Sequence, residues 1–301
     1  MPTGRLHAMA PTTLISSSLA PNAIRTIRAA GAHGLPNGRI RAVALTLTAS
    51  GASGPTRVRL GDGPAPPEVP TLITAGPDRS AFAIVPVSVA GTIKLWNGAA
   101  AVHVLLQVTG WFSDGAVSRS NTAGLFTRLA GYRIASPTLA PGSEKRIRVA
   151  GVQDVGTAAS AVLLRIRTTA RGTGRLAMAP TVGSLKGAST LAYATGNDTD
   201  LALAKLAHGF VTIANRGSHS VKVAVAAVGR FSSGTDPHAF GDGLTVVEPV
   251  GAAASQVVGT EGVPVATAGI GDVPAQAVSA PPSLVLLRTA VGSPTATGGL
   301  V

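Results

Sequence analysis

Apolar and polar residues alternate with a period of two along much of this chain. Val43, Leu45 and Leu47 interleave with Ala44, Thr46 and Thr48, and Val102, Val104, Leu106 and Val108 form a second series of the same kind. Side chains two apart share one face of an extended strand, so the alternation predicts half-buried β-strands. Turn chemistry punctuates these runs at Leu35-Pro36-Asn37-Gly38, Gly61-Asp62-Gly63-Pro64, Ala75-Gly76-Pro77-Asp78 and Asn97-Gly98. Asn97-Gly98, between Ile93-Leu95 and Val102-Val104, predicts a hairpin, because both residues tolerate the positive φ of a type I′ turn. No window of a dozen residues combines a 3.6 period with helix caps. The predicted fold class is all-β, built from sandwich units of about eight strands.

The chain also repeats itself. Leu19-Ala20-Pro21 recurs as Leu139-Ala140-Pro141, and Ile27 to Gly31 recurs as Ile147 to Gly151, both at a spacing of 120. Gly91 to Asn97 matches Gly209 to Asn215 at 118, and Val102, Val104, Leu106, Gly110 and Phe112 match Val221, Val223, Val225, Gly229 and Phe231 at 119. The offset drifts by one residue either way, which predicts two tandem units of about 119 residues. The expected organisation is a sandwich over 1–114, a linker over 115–123, a second sandwich over 124–233 and a linker over 234–242. A partial third copy covers 243–301, where Val285 to Arg288 repeats Val162 to Arg165. Half a sandwich leaves strand edges unpaired, so this copy is expected to be a fragment of a longer chain or a strand-donating surface for self-association.

These motifs carry a resemblance. The order Leu-Ala-Pro, an Ile-Arg-Val-Ala-Gly strand, Ala-Val-x-Leu, Gly-x-Ile-x-Leu-x-Asn and a closing Val-x-Val-x-Gly-(Trp/Arg)-Phe resembles the tandem β-modules of 110–120 residues attached to secreted actinobacterial proteins, among them cell-wall amidases and proteases. Such relatives open with a Leu-Asp-Thr-Arg box, where this chain reads Leu14-Ile15-Ser16-Ser17 and Ile134-Ala135-Ser136-Pro137. The resemblance implies an exported accessory module at the cell surface or outside the cell, with no catalytic residues of its own. The stretch from Met1 to Asn22 lacks the continuous apolar core of a signal peptide. A hydrolase whose catalytic domain lies outside this sequence is the competing expectation.

Composition narrows the chemistry. The absence of cysteine excludes disulfides, thiol nucleophiles and Cys-based zinc sites. No apolar run reaches the roughly 18 residues of a membrane helix. Neither a Gly-x-Ser-x-Gly elbow nor a His-Glu-x-x-His pair is present, so neither a catalytic constellation nor a cofactor is expected. The six histidines, His7, His33, His103, His208, His219 and His238, are scattered, and His103 reads as a solvated strand residue. Asn197-Asp198-Thr199-Asp200 has oxygen density but only two carboxylates, too few for calcium, and reads as a polar turn.

Charge leaves one suggestive feature. The net charge is +12, and residues 121–240 carry 14 basic against 5 acidic groups whereas 241–301 carry 1 against 4, so that Glu248, Glu261 and Asp272 could neutralise the body. Arg146 and Arg148, then Arg165 and Arg167, occupy alternate strand positions, with Arg171 and Arg175 close in sequence; Arg39, Arg41, Arg57 and Arg59 echo them weakly. If the two strands are neighbours, four guanidinium groups stand together and suit an anionic cell-wall polymer or glycan. Nucleic acid is disfavoured, since aromatic residues make up only 3% and stacking platforms are lacking. Trp96 and Trp111 are the alternative, an aromatic platform for sugar rings in the first unit only.

Overall fold

The computed structural model describes residues 4–38, 40–113 and 122–234, so the partial third copy and most of both linkers lie outside the described residues. No α-helix occurs among them, and the fold is all-β. In unit one (4–113), β1 (Leu6–Leu19), β8 (Val102–Ser113), β3 (Ile40–Ser50) and β6 (Arg79–Pro86) form one sheet in that order. The strands β2 (Ile24–Arg28), β7 (Thr92–Trp96), β4 (Thr56–Gly61) and β5 (Leu72–Thr74) form the other. Unit two (122–234) has the same order. Its first sheet joins β9 (Phe126–Ala135) and β10 (Thr138–Leu139), both paired to β17 (Val221–Ser232), then β12 (Ala159–Ala170) and β15 (Gly196–Lys205). Its second runs β11 (Glu144–Arg148), β16 (Phe210–Asn215), β13 (Gly174–Ala179) and β14 (Leu191–Tyr193). All of these pairings are antiparallel.

In each unit the two sheets enclose one apolar core, with Val43, Leu45, Leu47, Val104 and Leu106 facing Ile27, Val58, Ile93 and Leu95 in unit one. The corresponding core of unit two holds Val162, Leu164, Ile166, Val223 and Val225 against Ile147, Leu176, Val211 and Ile213. Fully burying such a side chain contributes roughly 1.5–3 kcal/mol, which makes these stripes the main stabilising term. Backbone details recur as well. Ala29 and Ala30 donate to Gly91 O at 2.9 and 3.0 Å, as Val149 and Ala150 donate to Gly209 O at 2.8 and 3.0 Å. One difference is Pro137, which has no N–H to give the ladder and divides β9 from β10 where β1 runs on through Ser16 and Ser17.

Asn97-Gly98 is not a hairpin turn. The strands on either side of it belong to different sheets, β7 pairing with β2 and β4, β8 with β1 and β3. The buried Asn97 side chain holds this sheet-to-sheet crossing, donating through Nδ2 to Ala20 O (2.7 Å) and Ala100 O (2.9 Å) and accepting from Thr56 Oγ1 at 3.0 Å. Asn215 does the same in unit two with more partners. It donates to Leu139 O, Ala140 O and His219 O and accepts from Tyr193 OH (2.8 Å) and Gly217 N (2.9 Å). Turn propensity could not reveal this, because the amide is used for its hydrogen-bonding capacity and not for a left-handed backbone.

The strand β3 is also not half-buried. Ala44, Thr46 and Thr48, expected on its solvent face, are at most 3% exposed, because the first sheets of the two units pack outer face to outer face. That contact is an apolar cluster in which positions 119–120 apart meet: Leu6, Ala42, Ala44 and Phe112 of unit one and Phe126, Ala161, Leu163 and Phe231 of unit two. Gly110 and Gly229 make room for it, since a Cβ on Gly110 would strike Leu6 Cδ1 and one on Gly229 would strike the Phe126 ring. Polar groups close the seam. Gln107 donates to Gly187 O (2.8 Å) and accepts from Ser189 N (2.7 Å), and Thr48 Oγ1 and Ser189 Oγ share a hydrogen bond at 3.1 Å.

Candidate functional site

The four arginines expected to stand together do not. Arg146 and Arg148 lie on β11, in the second sheet of unit two, whereas Arg165 and Arg167 lie on β12 in the first. Ile147, Leu164 and Ile166 all point into the core between those sheets, so the two arginine pairs face away from each other on opposite sides of the sandwich. Period two places residues on a face of their strand but does not say which sheet the strand joins. Arg146 lies 3.9 Å over the Phe210 ring, and Arg148 Nε donates to Ala150 O at 3.4 Å. Arg41 on β3 and Arg57 and Arg59 on β4 are divided between sheets in the same way, and Arg39 lies outside the described residues.

Arg175 is committed elsewhere. Its Nε and Nη2 both donate to Asp78 Oδ2, at 3.0 and 2.5 Å, across the seam between the units. Arg79 Nη1 donates to Asp198 Oδ1 at 2.8 Å in the other direction. Asp198 and Asp200 thus do not form a plain turn. They open β15, Asp198 also accepting from Ala194 N at 2.6 Å and Asp200 from Leu201 N at 2.8 Å. These ion pairs are partly exposed and contribute at most about 1 kcal/mol each, so they set the register of a contact that the apolar cluster stabilises. Arg171 is exposed beyond the end of β12. Glu248, Glu261 and Asp272 lie outside the described residues.

The tryptophans form no shared platform. Trp96 is buried at 5% exposure in the second sheet of unit one, and Trp111 belongs to the first, stacked on His7 with ring centroids 3.9 Å apart and planes at 8°. Burial of the His7 ring, with the Arg5 charge as the lesser cause, pushes its pKa below the usual 6.5. Arg230 takes the Trp111 position in unit two, buried at 6%. His103 bridges Ser16 Oγ (3.2 Å) and Ser18 Oγ (3.4 Å) and serves as a surface hydrogen-bonding residue. No cluster of three or more His, Asp or Glu side chains suited to a metal occurs among the described residues.

The structure instead assembles a different basic face, of which the sequence showed half. On the outer side of the first sheet of unit two, Arg165 and Arg167 of β12 stand beside Ala226 and Ala224 of the central β17, and Arg133 of β9 stands on the far side of Ala226. Lys222 pairs with Thr169 on β12 and Thr138 on β10. Arg165 leans across β17 until its Nη2 lies 3.6 Å from where a Cβ on Gly131 would be. Arg133, Arg165, Arg167 and Lys222 are all exposed. Among the described residues no carboxylate pairs with any of them. Arg133 and Lys222 went unnoticed because neither has another cation two positions away on its strand, and their convergence depends on β17 pairing with both neighbours. A signal was present in Ala224 and Ala226, small residues on the outer face of a strand otherwise flanked by long basic ones.

No family model matches the chain, and no curated protein does. Among solved structures the chain is similar to an oxalate decarboxylase of Bacillus subtilis, at 11% identity over 78% of this chain and 74% of that one, with a TM-score of 0.19. That likeness carries no functional argument.

Proposed function

We propose that this protein is a non-catalytic accessory protein of the cell surface or extracellular space, built from two tandem copies of one β-module, that holds anionic polymer on the outer face of its second module. The observation that carries this reading is the group of four exposed cations, Arg133, Arg165, Arg167 and Lys222, on one sheet face, with no carboxylate among the described residues paired to any of them. Like charges on adjacent strands destabilise one another, by up to about 1 kcal/mol for a facing pair, and a bound polyanion offsets that cost. The resemblance to modules of secreted actinobacterial proteins supports the location and the accessory role. The shared strand order and repeated hydrogen bonds of the two units support the duplication. An open, cation-bearing sheet face suits an extended polymer better than a small substrate, which binds in a deep and largely apolar pocket.

Binding of an anionic wall polymer across a salt series tests this reading. Four neutralised charges give a slope of log affinity against log salt near −3, at about 0.7–0.9 released counterions per charge. Changing all four residues to Gln is expected to abolish binding, whereas Arg146→Gln and Arg148→Gln on the opposite sheet leave it intact. Salt-insensitive binding, or none by the wild type, overturns the reading.

A further inference from the structure

The basic face is not uniform. It contains a cavity of about 170 Å³ lined by Arg133, Ser136, Arg167, Thr169, Lys222 and Ala224. The recess is half open to solvent and has a local cause. Ala224 brings only a methyl group to the floor, and the break at Pro137 ends β9 so that Ser136 lines the edge of the recess. Arg133 and Arg167 rise from the strands on either side of β17. With about 4.8 Å between neighbouring strands and an offset of two residues along β17, Arg133 standing opposite Ala226 and Arg167 opposite Ala224, their backbones are about 12 Å apart, a span that two guanidinium groups close from opposite sides. Lys222 contributes a third cation from the strand between them, and the Ser136 hydroxyl adds a further donor, while Thr169 Oγ1 gives its proton to Asn197 Oδ1 at 2.7 Å.

We infer that this recess is a subsite for one tetrahedral oxyanion, a phosphate ester or sulfate ester group, on the polymer that the face holds. The inference rests on the polyanion reading and narrows it. Three positive charges and the Ser136 hydroxyl converge on a space several times the roughly 30 Å³ that one water occupies in the liquid, and no carboxylate is among its lining residues. A carboxylate has two oxygens in one plane, and a single guanidinium fork already satisfies both. A phosphate or sulfate group presents three or four oxygens in different directions, which matches donors arriving from both sides and from the floor. A phosphate monoester also carries close to two charges at neutral pH, nearer the three cations in the recess than a carboxylate's one. In unit one the lining positions read Thr13, Ser16, Thr48, Ser50, His103 and Leu105 at the 119–120 spacing, so the subsite is confined to unit two.

The test compares polyphosphate with polyglutamate of matched length at one ionic strength, on the whole chain. Wild type is expected to bind polyphosphate at least about tenfold more tightly. In the Arg133→Gln/Arg167→Gln/Lys222→Gln variant that preference is expected to disappear. Arg165→Gln, which removes a cation of the face outside the recess, is expected to weaken both polymers alike and leave the preference standing. Inorganic phosphate is expected to displace polyphosphate from the wild type more effectively than chloride at equal ionic strength. All substituted side chains are solvent-exposed, and an unchanged unfolding transition verifies that the variants fold. Equal affinity for the two polymers, both lost in the triple variant, overturns the oxyanion subsite while the polyanion reading stands. Failure of phosphate to outcompete chloride also overturns the subsite. If neither polymer binds the wild type, the polyanion reading itself falls.

Discussion

The outer faces of the two first sheets occupy the same place in the same topology and have opposite fates. On unit one the positions are Thr46 and Thr48 on β3 with Gln107 on β8, all at most 3% exposed, with Thr48 and Gln107 bonded to the Gly187 to Ser189 segment of unit two. On unit two the positions 119 residues later are Arg165 and Arg167 on β12 with Ala226 on β17, and the arginines stand in solvent. The apolar half of the seam is shared evenly between the units, since equivalent residues meet there. The polar half is not, and this asymmetry makes the face of one unit an internal joint and leaves the arginines of the other in solvent. A shared fold therefore does not imply a shared surface role.

Exchanging the two chemistries breaks this comparison most severely. Thr48→Arg places a charge in the closed seam beside Ser189, and an unpaired buried charge costs several kcal/mol, so a loss of about 4 kcal/mol or separation of the units is expected in denaturant unfolding. The reverse change, Arg167→Thr, is expected to stay within about 0.5 kcal/mol because the site is open. Equal effects would mean that the seam is not closed in solution.

The asparagine crossings rank next. Asn215→Ala removes a group with five hydrogen-bond partners and Asn97→Ala one with three. At about 1–3 kcal/mol for each buried partner left unsatisfied and allowing for relaxation, losses of about 4 and about 3 kcal/mol are expected, measured as midpoint shifts at constant slope. Gln107→Leu strips partners from Ser189 N and Gly187 O and is expected to cost about 2 kcal/mol. The near-ultraviolet signal of Trp96, buried in the second sheet of unit one away from this seam, is expected to persist.

The smallest effects are pH-dependent and differ between units. The neutral form of His7 is favoured in the folded state, so below pH 6.5 the unfolded chain takes up the proton first. Stability therefore falls as pH drops from 6.5 toward the lowered folded value, and His7→Phe should flatten that slope. Burial pushes the Tyr193 pKa above 10.0, so the folded state keeps its proton longer and stability falls as pH rises past 10. Tyr193→Phe should remove that alkaline slope at the cost of the hydrogen bond to Asn215.

What the sequence by itself determined is the strand content, the spacing of equivalent positions and the inward stripes. A period of two and a constant offset are local properties, and burial of Val43, Leu45 and Leu47 follows from them wherever the strand ends up. Tertiary structure alone decided which strand borders which. It separated Arg146 and Arg148 from Arg165 and Arg167, set β7 and β8 in different sheets, and brought Arg133 and Lys222 to the face that carries Arg165 and Arg167. It also decided which outer faces are closed, because covering Thr46, Thr48 and Gln107 requires a second body of the right shape. The physical reason is that side-chain direction is fixed by the backbone of one strand, whereas charge convergence and burial depend on neighbours distant in sequence, whose pairing is selected by the free energy of the whole core.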